Sequence, residues 1–174
     1  LEYDDKALGI AQALGDRAAE ARHLGNIGLV HMNLSDYSRA LEFYGKAAAI
    51  AEEIGYTSGL AIHLGNIGIV HINLSNCEQA LEYLNKALAI DEELGNKEGV
   101  AAWLGTLGVA YSQPDCRHYN PSQAEEILRN ALAMNESLGT KRQNVEVLKT
   151  LSDLYAHEQR WKESREMYDK FHHL

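Results

Sequence analysis

The side chains in this sequence best suited to chemistry are its eight histidines, since imidazole binds metals and moves protons near neutral pH. Their spacing serves neither task. His23 recurs at His63 and His31 recurs at His71, each on a separate predicted helix, whereas two metal ligands on one helix sit three or four residues apart. His172 and His173 are adjacent and so point to different sides of a helix. The histidines read as core or surface residues, and no metal or other cofactor is implied. Nucleophile motifs are missing as well: there is no G-x-S-x-G elbow and no G-x-x-x-x-G-K phosphate loop. Gly25-Asn26-Ile27-Gly28 is a helical packing pattern. The acid pairs Glu52-Glu53 and Glu92-Glu93 end predicted helices, where a solvated surface is expected rather than acid–base work. No residue is expected to be catalytic, and the chain is not expected to be an enzyme.

Cys77 and Cys116 make neither a disulfide framework nor a metal-finger spacing. The expectation is free thiols in a reducing, cytoplasmic compartment. The formal net charge is -9, which argues against nucleic acid or an anionic membrane as partner, because both need clustered Lys and Arg. Residues beyond Gly139 are nearly neutral, so the excess acid lies before them. No apolar run approaches the roughly 20 residues of a membrane span, and no signal peptide is visible. The chain opens at Leu1 rather than Met, as a piece of a longer protein would.

Internal repetition decides which elements carry these residues. ARHLGNIGLVHMNL at 21–34 returns as AIHLGNIGIVHINL at 61–74, and ALEFYGKAAAI at 40–50 returns as ALEYLNKALAI at 80–90. Gly15, Gly55 and Gly95 mark the same period. Gly139 comes late because QPDCRHYN is inserted at 113–120. Each block holds two helical patterns, helix A from about Arg17 to Leu34 and helix B from about Tyr37 to Ile54, with apolar residues at helical spacing. Ser75 with Glu78 reads as a capping box. Asn120-Pro121 reads as a cap before a first-turn proline, and the marking glycines as left-handed helix ends. The expected fold is all-α.

The pattern down helix A resembles the tetratricopeptide repeat in its long, forty-residue form, as found in bacterial arrays. Leu24, Ile27, Gly28 and His31 hold the signature places, then Leu64, Ile67, Gly68 and His71. Trp103 or Leu104, Leu107, Gly108 and Tyr111 follow, and lastly Leu148, Leu151, Ser152 and Tyr155. Helix B contributes Ala40, Tyr44 and Ala47; Ala80, Leu84 and Ala87; Ala124, Leu128 and Ala131; and Ser164, Tyr168 and Phe171. The resemblance implies one α-solenoid domain of antiparallel helix pairs over 1–174. It divides into a partial repeat (helix B only) at 1–15, repeats at 16–55, 56–95 and 96–139, and a C-terminal repeat at 140–174.

The resemblance also implies a function, protein–protein interaction, with a partner's peptide or helix in a concave groove lined by the A helices. Carried over residue by residue, the groove comprises Arg22, Gly25, Asn26, Leu29, Met32 and Asn33, then Ile62, Gly65, Asn66, Ile69, Ile72 and Asn73. Ala102, Gly105 and Val109 follow, and Glu146, Lys149, Asp153 and His157 form a charged end. Glycine inside a helix costs about 1 kcal/mol against alanine, so Gly25, Gly65 and Gly105 are expected to leave space for a ligand to approach the backbone. Gly28, Gly68 and Gly108 match the family's packing glycine. The family's chaperone-tail clamp is absent, because Arg22 and Lys149 are the groove's only cations and stand more than two repeats apart. Leu24-Gly25-Asn26 and Leu64-Gly65-Asn66 spell the name of the Leu-Gly-Asn scaffolds, but those proteins place their asparagine one turn later. A sensor or regulatory domain of a larger bacterial signalling protein, with a cyclase or kinase output, is the alternative. So is self-assembly, a homo-oligomer paired through exposed repeat ends. The insertion reads as a tolerated surface loop, against a partner grip or half a metal site from Cys116 and His118.

Overall fold

The computed structural model describes residues 2–140 and 144–172, so His173 lies outside the described residues. Every regular element among them is a helix. By contacts they form two compact units, 1–94 and 95–174.

The first unit holds α1 (Glu2–Leu14), α2 (Arg17–Asn33), α3 (Tyr37–Glu53), α4 (Thr57–Asn73) and α5 (Cys77–Glu93). Consecutive helices pack on one another, and α2 also meets α4, so the two A helices are neighbours. Gly15 and Gly55 end helices at φ +69° and +68°. The turn at Gly15 is closed by the Asp16 amide donating to the Ala11 carbonyl at 2.9 Å. In the A–B turns this left-handed place falls to serine, Ser35 at φ 58° and Ser75 at φ 57°. Ser75 therefore ends α4 and is no capping box for α5. Asn76 holds the N-cap place there, and no side chain caps it.

The core of this unit is made where helix A meets helix B. Ala40, Tyr44, Ile67 and Val70 form one buried cluster, and Ala21, Leu24, Ala47 and Ile50 another. Close approach is enforced by the packing glycines: a Cβ on Gly28 would come within 2.9 Å of the Tyr44 ring, and one on Gly68 within 2.7 Å of Leu84. His31 and His71 stand at the family's tyrosine place and behave as aromatics. His31 stacks on Phe43 at 5.4 Å between centroids, and His71 on Tyr83 at 5.6 Å.

The second unit holds α6 (Lys97–Tyr111), α7 (Pro121–Leu138), α8 (Asn144–His157) and α9 (Trp161–His172). Asn120 caps α7 by accepting the Gln123 amide at 3.1 Å, Pro121 follows it, and Gly139 ends the helix at φ +72°. The inserted loop is tight, for the Asn120 amide returns to the Tyr111 carbonyl at 3.0 Å. Leu128, Ala131, Leu148, Leu151, Tyr155 and Met167 make the core. Neither Cys77 nor Cys116 is a free thiol, since both are disulfide-bonded. The expectation of free thiols is thus corrected. The thiolate half-site of Cys116 with His118 falls with it, because a disulfide sulfur has no thiolate to offer. No helix among the described residues is long and apolar enough to cross a membrane.

Candidate functional site

Each unit carries a cleft on the face of its A helices. In the first, α2 presents Arg22, Asn26 and Leu29, and α4 presents Ile62 and Asn66. These residues are three or four apart on their helices and so share a face. The cleft has a volume of about 430 Å³. Leu29 is 43% exposed and Ile62 49%, large apolar side chains left open to solvent on an otherwise polar rim.

The expected hollow over Gly25 is not empty. His63 fills it, and a Cβ on Gly25 would come within 2.5 Å of His63 Cε1. Gly105 in the second unit is likewise covered, by Val147 Cγ2 at 3.3 Å from such a Cβ. At these two places the reading of a space left for a ligand is corrected. The missing side chain admits the next A helix, and the groove floor above Gly25 is an imidazole. Gly65 is buried too.

His63, read from the sequence as a core or surface histidine and not as a groove residue, is the most unusual polar group of the cleft. It is 5% exposed, and both ring nitrogens lack a hydrogen-bond partner. Burial pushes its pKa down to about 4, so the ring is neutral at pH 7. His23 Nδ1 beside it is also buried without a partner. Tyr56 and Gly59 close the cleft at the first turn of α4, with the Tyr56 ring lying against Gly59. A signal for Tyr56 exists in the sequence: Asp16 and Asn96 hold the same repeat position and cap their helices, whereas Tyr56 makes no cap bond. No such signal marks His63, because burial of one histidine and not its repeat mate is decided by how α4 lies on α2.

Of the other expected groove residues in this unit, Met32, Ile69 and Ile72 are half-buried, and Asn33 and Asn73 are exposed at the ends of their helices. None of the five lines the cleft. In the second unit α6 and α8 form a smaller cleft of about 320 Å³, lined by Val109, Ser112, Glu146, Lys149, Asp153 and His157 among others. Ala102 and Gly105 do not line it. Its edge touches the insertion through Tyr119, whose hydroxyl lies 3.3 Å from His157 Nδ1. No group of three or more His, Cys, Asp and Glu able to hold a metal occurs among the described residues.

Two family models, both described as tetratricopeptide repeat, match residues 21–54 and 59–116. No curated protein sequence matches the chain. Among solved structures it resembles BtubC from P. vanneervenii, with a TM-score of 0.80 at 21% identity over 98% of this chain and 69% of that one. It also resembles a Rap protein complexed with Competence and Sporulation Factor, at 0.79 and 20% over 88% of this chain and 42% of that one. Aspartyl phosphate phosphatase F from Bacillus subtilis matches at 0.74 and 21%, over 99% of this chain and 43% of that one. The chain thus spans under half the length of the last two. At such identities the likeness establishes fold, an α-solenoid of antiparallel helix pairs.

Proposed function

The chain belongs to the tetratricopeptide repeat family, a protein-interaction fold, and we propose that it binds a peptide segment of a partner protein along the A-helix face. It acts by holding that segment and does no chemistry on it. The observation that carries this reading is the first cleft. Leu29 on α2 and Ile62 on α4 stand exposed, and the polar side chains of Arg22, Asn26 and Asn66 line the same cleft. Large apolar side chains rimmed by polar groups mark binding surfaces on soluble folds. A peptide laid there would bury apolar side chains on Leu29 and Ile62 and give its backbone to the asparagines. The Rap protein was solved with a bound factor, which supports a partner-holding use of this fold.

The test is selection of binders from a random peptide display library on the native chain. Their affinity is then compared with that for a Leu29→Asp, Ile62→Asp variant. Both side chains are exposed, so the variant should keep its helical circular dichroism. Loss of about tenfold or more in affinity is expected, the equivalent of about 1.4 kcal/mol of apolar burial. Selected peptides that bind both chains equally would place the partner elsewhere.

A further inference from the structure

We propose that Asn33 and Asn73 are acceptors for N-linked glycosylation, each taking an oligosaccharide on its side-chain amide nitrogen. The proposal is independent of the peptide-binding reading above. It stands on a sequence pattern, on where the fold places each copy of that pattern, and on the state of the cysteines.

The acceptor pattern is Asn-x-Ser or Asn-x-Thr with any residue but proline in the middle. The chain carries it three times, as Asn33-Leu34-Ser35, Asn73-Leu74-Ser75 and Asn135-Glu136-Ser137, while Asn120-Pro121-Ser122 is spoiled by its proline. The fold separates the three. Asn33 and Asn73 are the last residues of α2 and α4, and both side chains are exposed at the A–B turns. A glycan is bulky and hydrated and needs such a surface position. Neither residue lines the first cleft, so the attachment points lie outside it. Asn135 is 1% exposed, and its Oδ1 accepts the Thr140 hydroxyl at 3.2 Å. The native packing leaves no room for a glycan there.

The serines are the second observation. Ser35 and Ser75 stand at φ 58° and 57°, where a side chain is strained and glycine is not. The turns from helix B to helix A meet the same demand with Gly15, Gly55 and Gly95. The A–B turn does not need the hydroxyl either. Neither serine hydroxyl makes a hydrogen bond among the described residues, and the last A–B turn reaches φ 60° with Gln159. A hydroxyl held at a strained place without a structural use is the group the acceptor pattern requires.

The third observation is the oxidised state of Cys77 and Cys116. Disulfides persist in oxidising compartments and are rare in the cytosol, and Asn-x-Ser acceptors belong to the same secretory setting. The co-substrate is a lipid-linked oligosaccharide diphosphate. In the transfer, Nδ2 of the asparagine bonds to the anomeric carbon of the sugar and the bond from that carbon to the diphosphate oxygen breaks. The diphosphate leaves with the electron pair, and the amide gives up one proton.

The experiment is mass spectrometry of the chain isolated from the cells that make it. Free thiols are alkylated without reduction, and the peptides are treated with peptide N-glycosidase in ¹⁸O water, which turns a glycosylated asparagine into ¹⁸O-labelled aspartate. Label at Asn33 and Asn73, none at Asn135 and no alkylated cysteine are expected. Bare asparagine at both turn positions overturns the proposal, whatever the state of the cysteines. Label that appears without the glycosidase also overturns it, because that is spontaneous deamidation, as does label at Asn135 alone. Cell-free translation behind an export leader, with microsomes present, reads the acceptors without requiring the variants to fold. There Asn33→Gln and Asn73→Gln should each remove the mass of one glycan, and so should Ser35→Ala and Ser75→Ala, which leave the asparagines in place. An unchanged mass in these variants overturns the assignment.

Discussion

At the scale of the residue, the fourteen glycines of this chain do different jobs, and substitution separates them. Gly28 lies inside α2, where alanine would be the better helix former by about 1 kcal/mol. Its Cβ would nevertheless come within 2.9 Å of the ring of Tyr44, which is fully buried and has nowhere to move. Gly28→Ala is therefore expected to destabilise the first unit by about 1–3 kcal/mol through overpacking. Gly45 lies inside α3 with nothing within 4 Å of its Cβ position. Gly45→Ala should stabilise by about 0.5–1 kcal/mol. Urea unfolding midpoints of the two variants should move in opposite directions, and a stabilising Gly28→Ala would refute the packing role. The packing role of the periodic glycines at 28, 68 and 108 could be read in advance, because the resemblance to the family's pattern implies it. That of Gly25 could not. The sequence records that a side chain is missing, but only the lie of α4 on α2 shows that His63 occupies the place.

At the scale of the element, the turn that leads into α9 is tied to α7 by one carboxylate. Glu125 on α7 accepts hydrogen bonds from Arg160 at 2.6 Å, from the Tyr155 hydroxyl at 2.8 Å and from Arg129 at 3.0 Å. Arg160 also lies over the Tyr155 ring, 4.3 Å from its centroid. Hydrogen bonding from Arg160 foremost, then from Tyr155 and Arg129, draws the Glu125 pKa from the usual 4.5 down to about 2 against the opposing effect of burial. A carboxylate depressed in the folded state stabilises above its unfolded value and loses that contribution as pH falls through the folded value. Stability from this group is thus full above about pH 5 and lost between about 4.5 and 2. Glu125→Gln should cost about 1–3 kcal/mol at pH 7 and flatten that part of the acid limb, as denaturant midpoints between pH 7 and 2.5 would record. A variant with an unchanged acid limb would show that the network contributes nothing. Helix existence and most helix ends were legible here: Asn120-Pro121 and the late Gly139 fix α7 from sequence alone. The network was not, because Glu125, Arg129, Tyr155 and Arg160 are drawn from two helices and a turn whose register no repeat pattern encodes. Ser75 shows the same limit in miniature, since a serine before a glutamate at the right spacing suggests a cap until its backbone is seen to be left-handed.

At the scale of the whole molecule, the net charge of -9 shapes how a net-negative peptide arrives. Residues after Gly139 hold seven basic and six acidic side chains, so the excess acid belongs to the part of the chain that carries the first cleft. Long-range repulsion and short-range attraction therefore oppose each other there. The repulsion acts over a Debye length of about 30 Å at 0.01 M salt but only about 8 Å at 0.15 M. A contact of such a peptide with Arg22 would be made within hydrogen-bond distance, where salt screens less. Association of a net-negative peptide from the display selection should thus speed up as salt rises from 0.01 to 0.15 M, against the usual trend for steered complexes. Its dissociation should quicken only modestly, and Arg22→Gln should act mainly on dissociation. Stopped-flow fluorescence of a labelled peptide separates the two rates. An association rate that falls with added salt would mean that the local field of Arg22 and the α4 terminus extends past the acidic surface and draws the ligand in. In that case the cleft itself, rather than the net charge of -9, would set the encounter.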